Sequence, residues 1–473
     1  MSTSSHSIVS LVSFLQKAID SSWESSSHLP ETEKFLKKIR NNLNWYLEVI
    51  YIVLEDKDIG SEIKEKFFGD INKLLYNLIP QIKGLCEGTT EKIPFWLALL
   101  LEYEFENTCK TLKNSNLKNE TGIALYPVIE VNYYYENVSD FLGKQLESLN
   151  KEITDDFEIT TLPDYISSDT SKELIALGFQ YVMMDDALYN AILFHEIAHH
   201  IFIAGKYEEP FKQKIIKLYK RKLSKVLKAD GYNDEEIDIA VDDYVKPLLS
   251  WLQELFCDCF GATIVGPAYV FAYRDICSLF PDENPITFSD SHPASLFRKI
   301  YQWKVMKTVG WIKPLKNNRF SKDAKKIINT LQISDSPRKY EFTNGPDDEY
   351  YRGLFKEFKK HVADIEKQAR KCVPDAKNRV SDFWGMGEEV KDALEVAIVP
   401  STIPKNGKIQ HPLPSTILNI SRIISEGGYK KLLENWPKEK GGLSKLLDVQ
   451  KGLNNWTQKA IEDWVLIKRS GKA

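Results

Sequence analysis

The sequence predicts a mainly α-helical protein of the α+β class, in which a small antiparallel sheet is flanked by helical N- and C-terminal regions. Apolar residues recur at three-to-four spacing over long segments such as Thr32–Leu54, as they do on the buried face of an amphipathic helix. The same periodicity returns from Asp185 onward. The best strand candidates are two runs rich in β-branched and aromatic residues, Thr121–Tyr135 and Gly178–Met184.

Composition and charge narrow the class of protein. The chain has 473 residues, of which 43% are hydrophobic and 27% are charged, so it can bury a core and form roughly two or three domains. Its 63 Lys and Arg residues against 67 Asp and Glu residues leave a net charge of -4. This balance gives no electrostatic basis for a nucleic-acid partner.

The cysteine content and the lack of targeting segments favour a cytoplasmic protein. Six scattered cysteines are too few for a disulfide framework at this length, which indicates a reducing compartment. The N-terminus has neither the basic segment nor the cleavage site of a signal peptide. The longest apolar stretch, Leu255–Tyr273, contains Asp258 and is broken by Gly266 and Pro267, so we expect no transmembrane span.

Loop-like segments divide the chain into three predicted regions. These are a helical N-terminal region (1–120), a core (121–315) and a helical C-terminal region (316–473). In the core, Asp185 or Asp186 is predicted to cap a first helix that continues through Ala204, and Gly205 supplies a left-handed stop.

Two further core helices are predicted. One follows an acidic segment and runs from about Pro247 to Val265, with the proline in its first turn. The other begins near Ser291, which can cap it, with Pro293 in its first turn. Together with the first core helix, they carry the polar residues from which a site can be built.

The strongest functional signal is the sequence HEIAH at His195–His199. On a helix, residues four apart lie ~40° apart around the axis, so both imidazoles project from one face with Glu196 beside them. Two neutral imidazoles suit a zinc ion, and a neighbouring glutamate can take a proton from water at such a site. The alternative is two histidines and a glutamate on a solvated or otherwise satisfied helix face.

A third ligand is predicted in the sequence ELFCD, where Glu254 and Asp258 are four apart on an apolar helix and share a face. One carboxylate can bind the metal, and the other can accept the free N–H of a ligand histidine. Acids in so apolar a segment are costly without such a role, although a buried salt bridge to Lys or Arg is the alternative. Cys257 and Cys259 are interpreted as small buried residues, since residues two apart on a helix point ~200° apart.

A basic amphipathic segment, Phe211–Lys228, allows two interpretations. It can lie peripherally on an anionic membrane. The favoured interpretation is a solvated helix whose lysines are neutralised by the acidic segment Asp234–Asp243 that follows.

Three motifs occur in order along the chain: HEIAH, ELFCD, and then SHPASLFR at Ser291–Arg298. In this order they resemble the gluzincin metallopeptidases, and within them the family of CAAX prenyl proteases and heat-shock membrane metalloproteases. The resemblance extends from about Gly178 to Trp303. Members of that family are mostly integral membrane proteins, so it does not imply a prenylated or membrane substrate for a chain without a predicted span.

The resemblance implies a zincin-like core that binds one zinc ion per chain. The metal ligands would be His195, His199 and Glu254, with Asp258 orienting a ligand histidine. Glu196 would be the general base. The resemblance also implies that His292 and Arg298 hydrogen-bond the substrate or its oxyanion, and that Gly178–Met184 serves as an edge strand for an extended peptide.

The predicted function is that of a zinc-dependent metalloendopeptidase acting on a peptide or protein substrate, with Glu196 as the general base for water attack. Two alternatives stay open. One is a regulatory or interaction protein with a structural or sensory zinc site. The other is a metallohydrolase of a non-peptide amide.

Overall fold

The computed structural model describes residues 30–57, 59–71, 95–112, 122–128, 134–137, 174–180, 186–279, 284–315, 318–333, 340–342, 348–436 and 442–471, with positions 10, 12–14 and 16–17. Most of these residues are helical, which confirms the mainly α-helical class. The chain divides into two compact units. The first comprises Met1–Glu106 and Lys118–Met184, and the second comprises Asn107–Leu117 and Asp185–Ala473.

The first unit packs helix against sheet. Its described elements are α1 (Pro30–Glu55), most of α2 (Phe95–Leu112), β1 (Gly122–Val128), β2 (Tyr134–Asn137) and β3 (Leu174–Gln180). Helix α1 packs on β1 and β3. Its buried stripe has the three-to-four spacing that the sequence predicts and consists of Leu43, Tyr46, Val49, Ile50 and Val53.

The three strands form a mixed sheet in the order β1-β3-β2, with β3 parallel to β1 and antiparallel to β2. The second predicted strand therefore lies in the centre, where Gly178 pairs with Tyr126 on one side and Tyr134 on the other. The prediction of a free edge for a peptide is wrong for the described strand, because the run from 121 to 135 supplies partners on both sides. Residues 181–184 lie outside the described residues.

The second unit is built mainly from helices. In chain order they are α3 (Leu193–Ala204), α4 (Glu209–Ala229), α5 (Asp234–Ile264), α6 (Pro267–Ser278), α7 (Ser295–Val309), α8 (Arg319–Ile328), α9 (Asp348–Lys371), α10 (Ala376–Glu395), α11 (Pro414–Glu426), α12 (Lys430–Asn435) and α13 (Gly442–Arg469). Two short strand pairs accompany them. β4 (Thr287–Phe288) pairs parallel with β5 (Glu341–Phe342), and β6 (Ile403–Lys405) pairs antiparallel with β7 (Lys408–Gln410).

Helix α5 is the centre of the second unit. It packs against α3, α4, α7 and α9. Its last eleven residues, from Glu254 to Ile264, are all buried. One turn earlier, fully buried Trp251 has ring contacts with Phe288 and Phe358. The two acids of the ELFCD motif are therefore held in the most tightly enclosed part of the unit.

The N-terminus of α5 differs from the prediction. The helix does not begin at Pro247 but runs unbroken through it from Asp234. Asn233 and Glu236 form a capping box at its start, with hydrogen bonds of 2.8 and 2.9 Å. Because a proline removes only one backbone donor, the cap and the packing of α5 against four helices outweigh its local preference.

The predicted end of α3 at Ala204 is confirmed, but the helix begins at Leu193 because Asp186 caps a separate turn before it, and two predicted terminal residues differ. Gly205 follows α3 with φ -75°, and the left-handed conformation falls on Lys206, with φ 54°. The N-cap residue of α7 is Ala294 rather than Ser291, whose hydroxyl instead contacts His292. The break after α5 is as predicted: Gly266 has φ 84°, and Pro267 begins α6.

The predicted limit near residue 315 does not coincide with a boundary between compact units, since 185–473 belong to one unit. The reason is long-range packing. Helix α9 lies along α5, and α11 contacts α6, α10 and α13. The segment predicted to be C-terminal to the core therefore covers it.

Helix α4 contains the whole basic segment. Its buried face consists of Phe211, Ile215 and Tyr219. On the other face Lys220 pairs with Asp238, and Lys228 pairs with Asp234 at 2.9 Å, as the favoured interpretation predicts. Among the described helices, none is long and apolar enough to cross a membrane.

Candidate metal centre

Helix α3 places the two motif histidines side by side. A short 3₁₀ turn, Asn190–Ile192, leads into the helix, which is buried on almost all sides. The His195 and His199 rings lie next to each other on one side of the helix, with centroids 4.8 Å apart and planes at 84°. Glu196 lies between them in sequence and is 8% exposed. The predicted arrangement of the HEIAH motif on one helix is therefore present.

Both histidines meet Glu254 of α5. The Nε2 atoms of His195 and His199 lie 3.2 and 3.5 Å from the two Glu254 carboxylate oxygens. Tetrahedral zinc with ligand bonds of 2.0–2.1 Å separates its ligand atoms by about 3.3 Å. Each imidazole–carboxylate distance is thus close to the separation of two ligand atoms on tetrahedral zinc, although the two histidines face different oxygens of Glu254.

The other nitrogen of His195 faces Asp258. His195 Nδ1 lies 3.3 Å from Asp258 Oδ1, which is one turn beyond Glu254 on α5. A proton on Nδ1 is then directed to Asp258, and Nε2 faces Glu254 and, at 3.4 Å, Arg298 Nη2. The predicted placement of the two acids on one face, with one acid behind a histidine, is found.

Asp258 is in turn surrounded by donors. Its carboxylate accepts hydrogen bonds from Tyr269 Oη at 2.8 Å and from Gln302 Nε2 at 2.9 Å. Arg298 donates from Nε at 2.7 Å and from Nη2 at 2.9 Å. Since Asp258 is 0% exposed, these donors replace the water that an ionised carboxylate would otherwise need.

Arg298 joins the two carboxylates instead of facing open space. Its Nη1 lies 2.9 Å from Glu254 Oε2, while the rest of the guanidinium is bound to Asp258. The face of the guanidinium stacks on the Tyr273 ring at 4.8 Å. Arg298 is in the site, as predicted, but its geometry is that of a counter-charge to Glu254 and Asp258.

His292 lies on the solvent side of the centre. Its side chain is 57% exposed, and its Nε2 is 3.7 Å from Glu254 Oε1. Its other ring nitrogen contacts Ser291 Oγ at 2.7 Å. Because one nitrogen is fixed by the serine, the other is aimed at the rim of the centre, where an incoming ligand could meet it.

Cys257 is buried, as interpreted from the sequence, and it also lies close to the centre. Its Sγ and one ring nitrogen each of His195 and His199 lie within 4.8 Å of one another, a spacing compatible with a shared metal. Cys257 is three residues after Glu254, so on α5 it points only ~60° away from it. Cys257 therefore lies on nearly the same side of α5 as Glu254, although it points ~200° away from Cys259.

Burial and charge shift the ionisation of these groups in opposite directions. Burial lowers the pKa of His195, but the Glu254 and Asp258 carboxylates outweigh it and raise the pKa to about 9. For His199, burial dominates and lowers the pKa to about 3. Burial also raises the pKa of Glu196 to about 7. One imidazole is therefore strongly basic and the other is held neutral.

The acids that face Arg298 stay ionised. Burial alone would raise the pKa of Glu254 and of Asp258, but the guanidinium and His195 hold both pKa values below the usual range. The centre thus contains two ionised carboxylates whose charge is balanced by the Arg298 guanidinium and by the basic His195 imidazole.

Sequence reasoning missed two residues of the centre, Tyr269 and Gln302. Gln302 lies four residues after Arg298 on α7, so helical spacing could have placed both on one face. Tyr269 gives no such signal, since it reaches Asp258 only because the chain reverses at Gly266 between α5 and α6.

Comparison of the chain with protein-family models, curated proteins and solved structures finds no match. The arrangement of side chains in the second unit is therefore the basis for assigning a function.

Proposed function

We propose that the chain is a zinc-dependent metallopeptidase of the gluzincin type, with His195, His199 and Glu254 as metal ligands. The observation that carries the proposal is the convergence of two imidazole Nε2 atoms on one buried carboxylate, at 3.2 and 3.5 Å. Three protein ligands of this kind leave a fourth position for water or substrate, which is the pattern of catalytic zinc sites. Asp258 behind His195 supplies the hydrogen bond that orients such a ligand.

Glu254 is the favoured third ligand rather than Cys257. Its two oxygens face both histidines, and among the described residues none gives Oε2 a well-aligned hydrogen bond. Arg298 Nη1 is 2.9 Å from the same oxygen, which supplies charge while leaving a lone pair for a metal. Burial raises the pKa of the Cys257 thiol well above its usual range, so the thiolate would be more costly to form there.

The chemistry follows from the groups around the proposed ligands. A bound zinc ion would polarise the carbonyl of the scissile peptide bond and acidify a water molecule. Glu196, next to His195 and buried, takes the proton of the attacking water and returns it to the leaving amine. His292, on the exposed side of Glu254, donates a hydrogen bond to the substrate carbonyl oxygen. Arg298 keeps Glu254 and Asp258 ionised and in place.

A specific observation favours a second candidate, a structural zinc site. Cys257 lies near both histidines and could bind a metal together with them. If Glu254 were also a ligand, the ion would have four protein ligands and no open position, as in structural zinc sites. The exposure of the neighbouring His292 supports an open site instead.

The described cysteines are unpaired, which supports our proposal that the protein works in a reducing compartment such as the cytoplasm.

The test of the proposed activity is Glu196→Gln. Removing the general base should reduce peptide hydrolysis at least about 100-fold, because positioned acid–base groups contribute 10²–10⁴ in rate. The zinc content, measured by plasma mass spectrometry, should stay at about one ion per chain.

Hydrolysis is measured on a proteome-derived peptide library, and Glu235→Gln, an exposed change on α5, is the matched control. Wild-type rates in the E196Q protein would exclude the assigned base. A wild-type protein that binds zinc, cleaves nothing and unfolds on chelation would favour the structural site.

The choice of third ligand is tested by Glu254→Ala and Cys257→Ala. We expect E254A to weaken zinc binding by at least about 100-fold, because a ligand is lost and Arg298 is left opposite the metal. C257A should keep wild-type affinity, measured by competition with a chelating dye. The reverse pattern would make Cys257 the ligand.

A further inference from the structure

A cavity of about 350 Å³ opens between the start of α4 and the N-terminal half of α5. Its volume falls within the ~300–1,000 Å³ typical of ligand pockets. Val245 and Leu249 form an apolar wall, and Asp242, Asp243 and Lys246 surround it with charge. A long side chain with an apolar stem and a charged end would match both parts.

The cavity lies next to the candidate metal centre. Ser250, which lines it, is one turn before Glu254 on α5, a rise of about 6 Å. Ser250 Oγ donates to the Ser291 carbonyl oxygen at 3.0 Å, and Ser291 Oγ contacts His292 Nδ1 at 2.7 Å. Ser250 therefore links the lining of the cavity to the segment that carries His292, on the solvent side of the centre.

The charge of the cavity favours a cation. Glu208, Asp242 and Asp243 oppose only Lys212 and Lys246, so the lining carries one excess negative charge. Lys212 already has a partner in Glu208 at 3.6 Å.

Further along the two helices, the lysines of α4 pair with Asp234 and Asp238 instead. Among the described residues, none forms an ion pair with Asp242 or Asp243. Both carboxylates are exposed at the cavity and available to a ligand.

We propose that this cavity binds a lysine or arginine side chain of the substrate, and so makes the enzyme selective for a basic residue near the scissile bond. The inference rests on the proposed peptidase function. The alkyl stem packs on the half-buried Leu249, which lies in front of buried Val245, and the cationic head reaches Asp242 and Asp243.

The experiment compares wild type, the double variant D242N/D243N and the control D230N/E235Q, which removes two exposed carboxylates of the same helix pair outside the cavity. Each full-length protein digests a peptide library cut beforehand at acidic residues, so that internal Lys and Arg survive. Wild type and control should enrich Lys and Arg at one position beside the cleavage site. D242N/D243N should lose this enrichment.

The size of the lysine preference is measured with matched peptides that differ at one residue. For one library substrate, the lysine peptide should be cleaved about tenfold more slowly by D242N/D243N, while its norleucine counterpart changes less than about twofold. The lysine preference should shrink when salt is raised from low to high ionic strength. Equal cleavage of lysine, norleucine and glutamate peptides by wild type, or an unchanged preference in D242N/D243N, would overturn the proposal.

Failure of the proposed function has a different signature. If wild type cleaves no peptide, the activity is wrong, and the cavity is then tested by binding alone. Fluorescein-labelled lysine, norleucine and glutamate peptides are titrated into the E196Q protein, and binding is followed by anisotropy. Tighter binding of the lysine peptide that is lost in E196Q/D242N/D243N supports the cavity as a cation site. Equal binding of the three peptides contradicts it.

Discussion

Asp258 is the residue on which the geometry of the centre depends most. It contacts His195 Nδ1 on one side and accepts hydrogen bonds from Tyr269, Arg298 and Gln302 on the other. These donors come from two helices, α6 and α7. The orientation of His195 is therefore set by the positions of three helices and not by α3 alone.

Tyr269→Phe tests this arrangement at the scale of one hydroxyl group. The change removes the 2.8 Å hydrogen bond to Asp258 and the contact to His195 Nδ1 at 3.3 Å. Because outer hydrogen bonds orient metal ligands, we expect zinc affinity to fall about tenfold with little change in fold. The measurement is chelator competition, with circular dichroism as the check on folding.

Tyr273→Phe is the matched control, since its ring stacks on Arg298 and phenylalanine keeps that contact. Zinc affinity in Y269F equal to that of Y273F would show that the Tyr269 hydroxyl does not help to orient His195.

At the scale of single residues, the sequence predicts the site where functional side chains recur at helical spacing. His195, His199, Glu254 and Asp258 could be placed from their positions alone, because residues four apart share a helix face. Tyr269 could not, because its place near Asp258 depends on the angle at which α6 leaves α5. The contacts of Arg298 with both carboxylates and the closeness of Cys257 to the histidines also depend on relations between helices.

At the scale of elements, the sharp turn between α5 and α6 requires a glycine at position 266. Gly266 has φ 84° and ψ -140°, a conformation essentially limited to glycine. A Cβ there would lie 2.6 Å from the ring of Trp311, which is fully buried. The turn brings Tyr269 back toward Asp258, so a change in the turn would displace the Tyr269 hydroxyl from Asp258.

Gly266→Ala should therefore destabilise the second unit by about 3 kcal/mol or more, from backbone strain and from displacement of the indole. Urea unfolding followed by tryptophan fluorescence measures the loss. The matched control is Gly353→Ala in α9, where an added Cβ meets nothing within 4 Å and the gain in helix propensity should stabilise by roughly 1 kcal/mol. If both variants unfold at the wild-type urea concentration, the turn is not under the inferred constraint.

The presence of a helix could be predicted for the long periodic segments, but the first and last residues of helices were harder to predict. The ends of α1 and the break at Gly266 follow from periodicity and from Gly-Pro punctuation. Pro247 is misleading because the packing of α5 outweighs a local preference. The hairpin of β6 and β7, in a proline-rich segment, forms around Asn406 and Gly407, both with positive φ.

At the scale of the whole molecule, the C-terminal helices are part of the structure that holds the centre. The interpretation of 316–473 as a separate region fails because its contacts with the core span more than a hundred residues of sequence, which no local pattern records. Asn419 of α11 is an example. It accepts a hydrogen bond from Ala268 N at 2.7 Å and donates one to the Val265 carbonyl at 2.6 Å. One buried amide thus satisfies backbone groups on both sides of the α5–α6 turn.

Asn419→Ala should reveal this dependence. Two backbone groups would lose their partner in a site that is 0% exposed, which should cost about 2–4 kcal/mol of unfolding free energy. Zinc affinity should fall as well, because the turn that positions Tyr269 is loosened. Both are measured on the full chain, by urea unfolding and chelator competition. Asn455→Ala, an exposed change on α13, should stay within about 0.5 kcal/mol of wild type. An N419A protein that matches N455A in stability and in zinc affinity would mean that the C-terminal helices cover the core without bracing the centre.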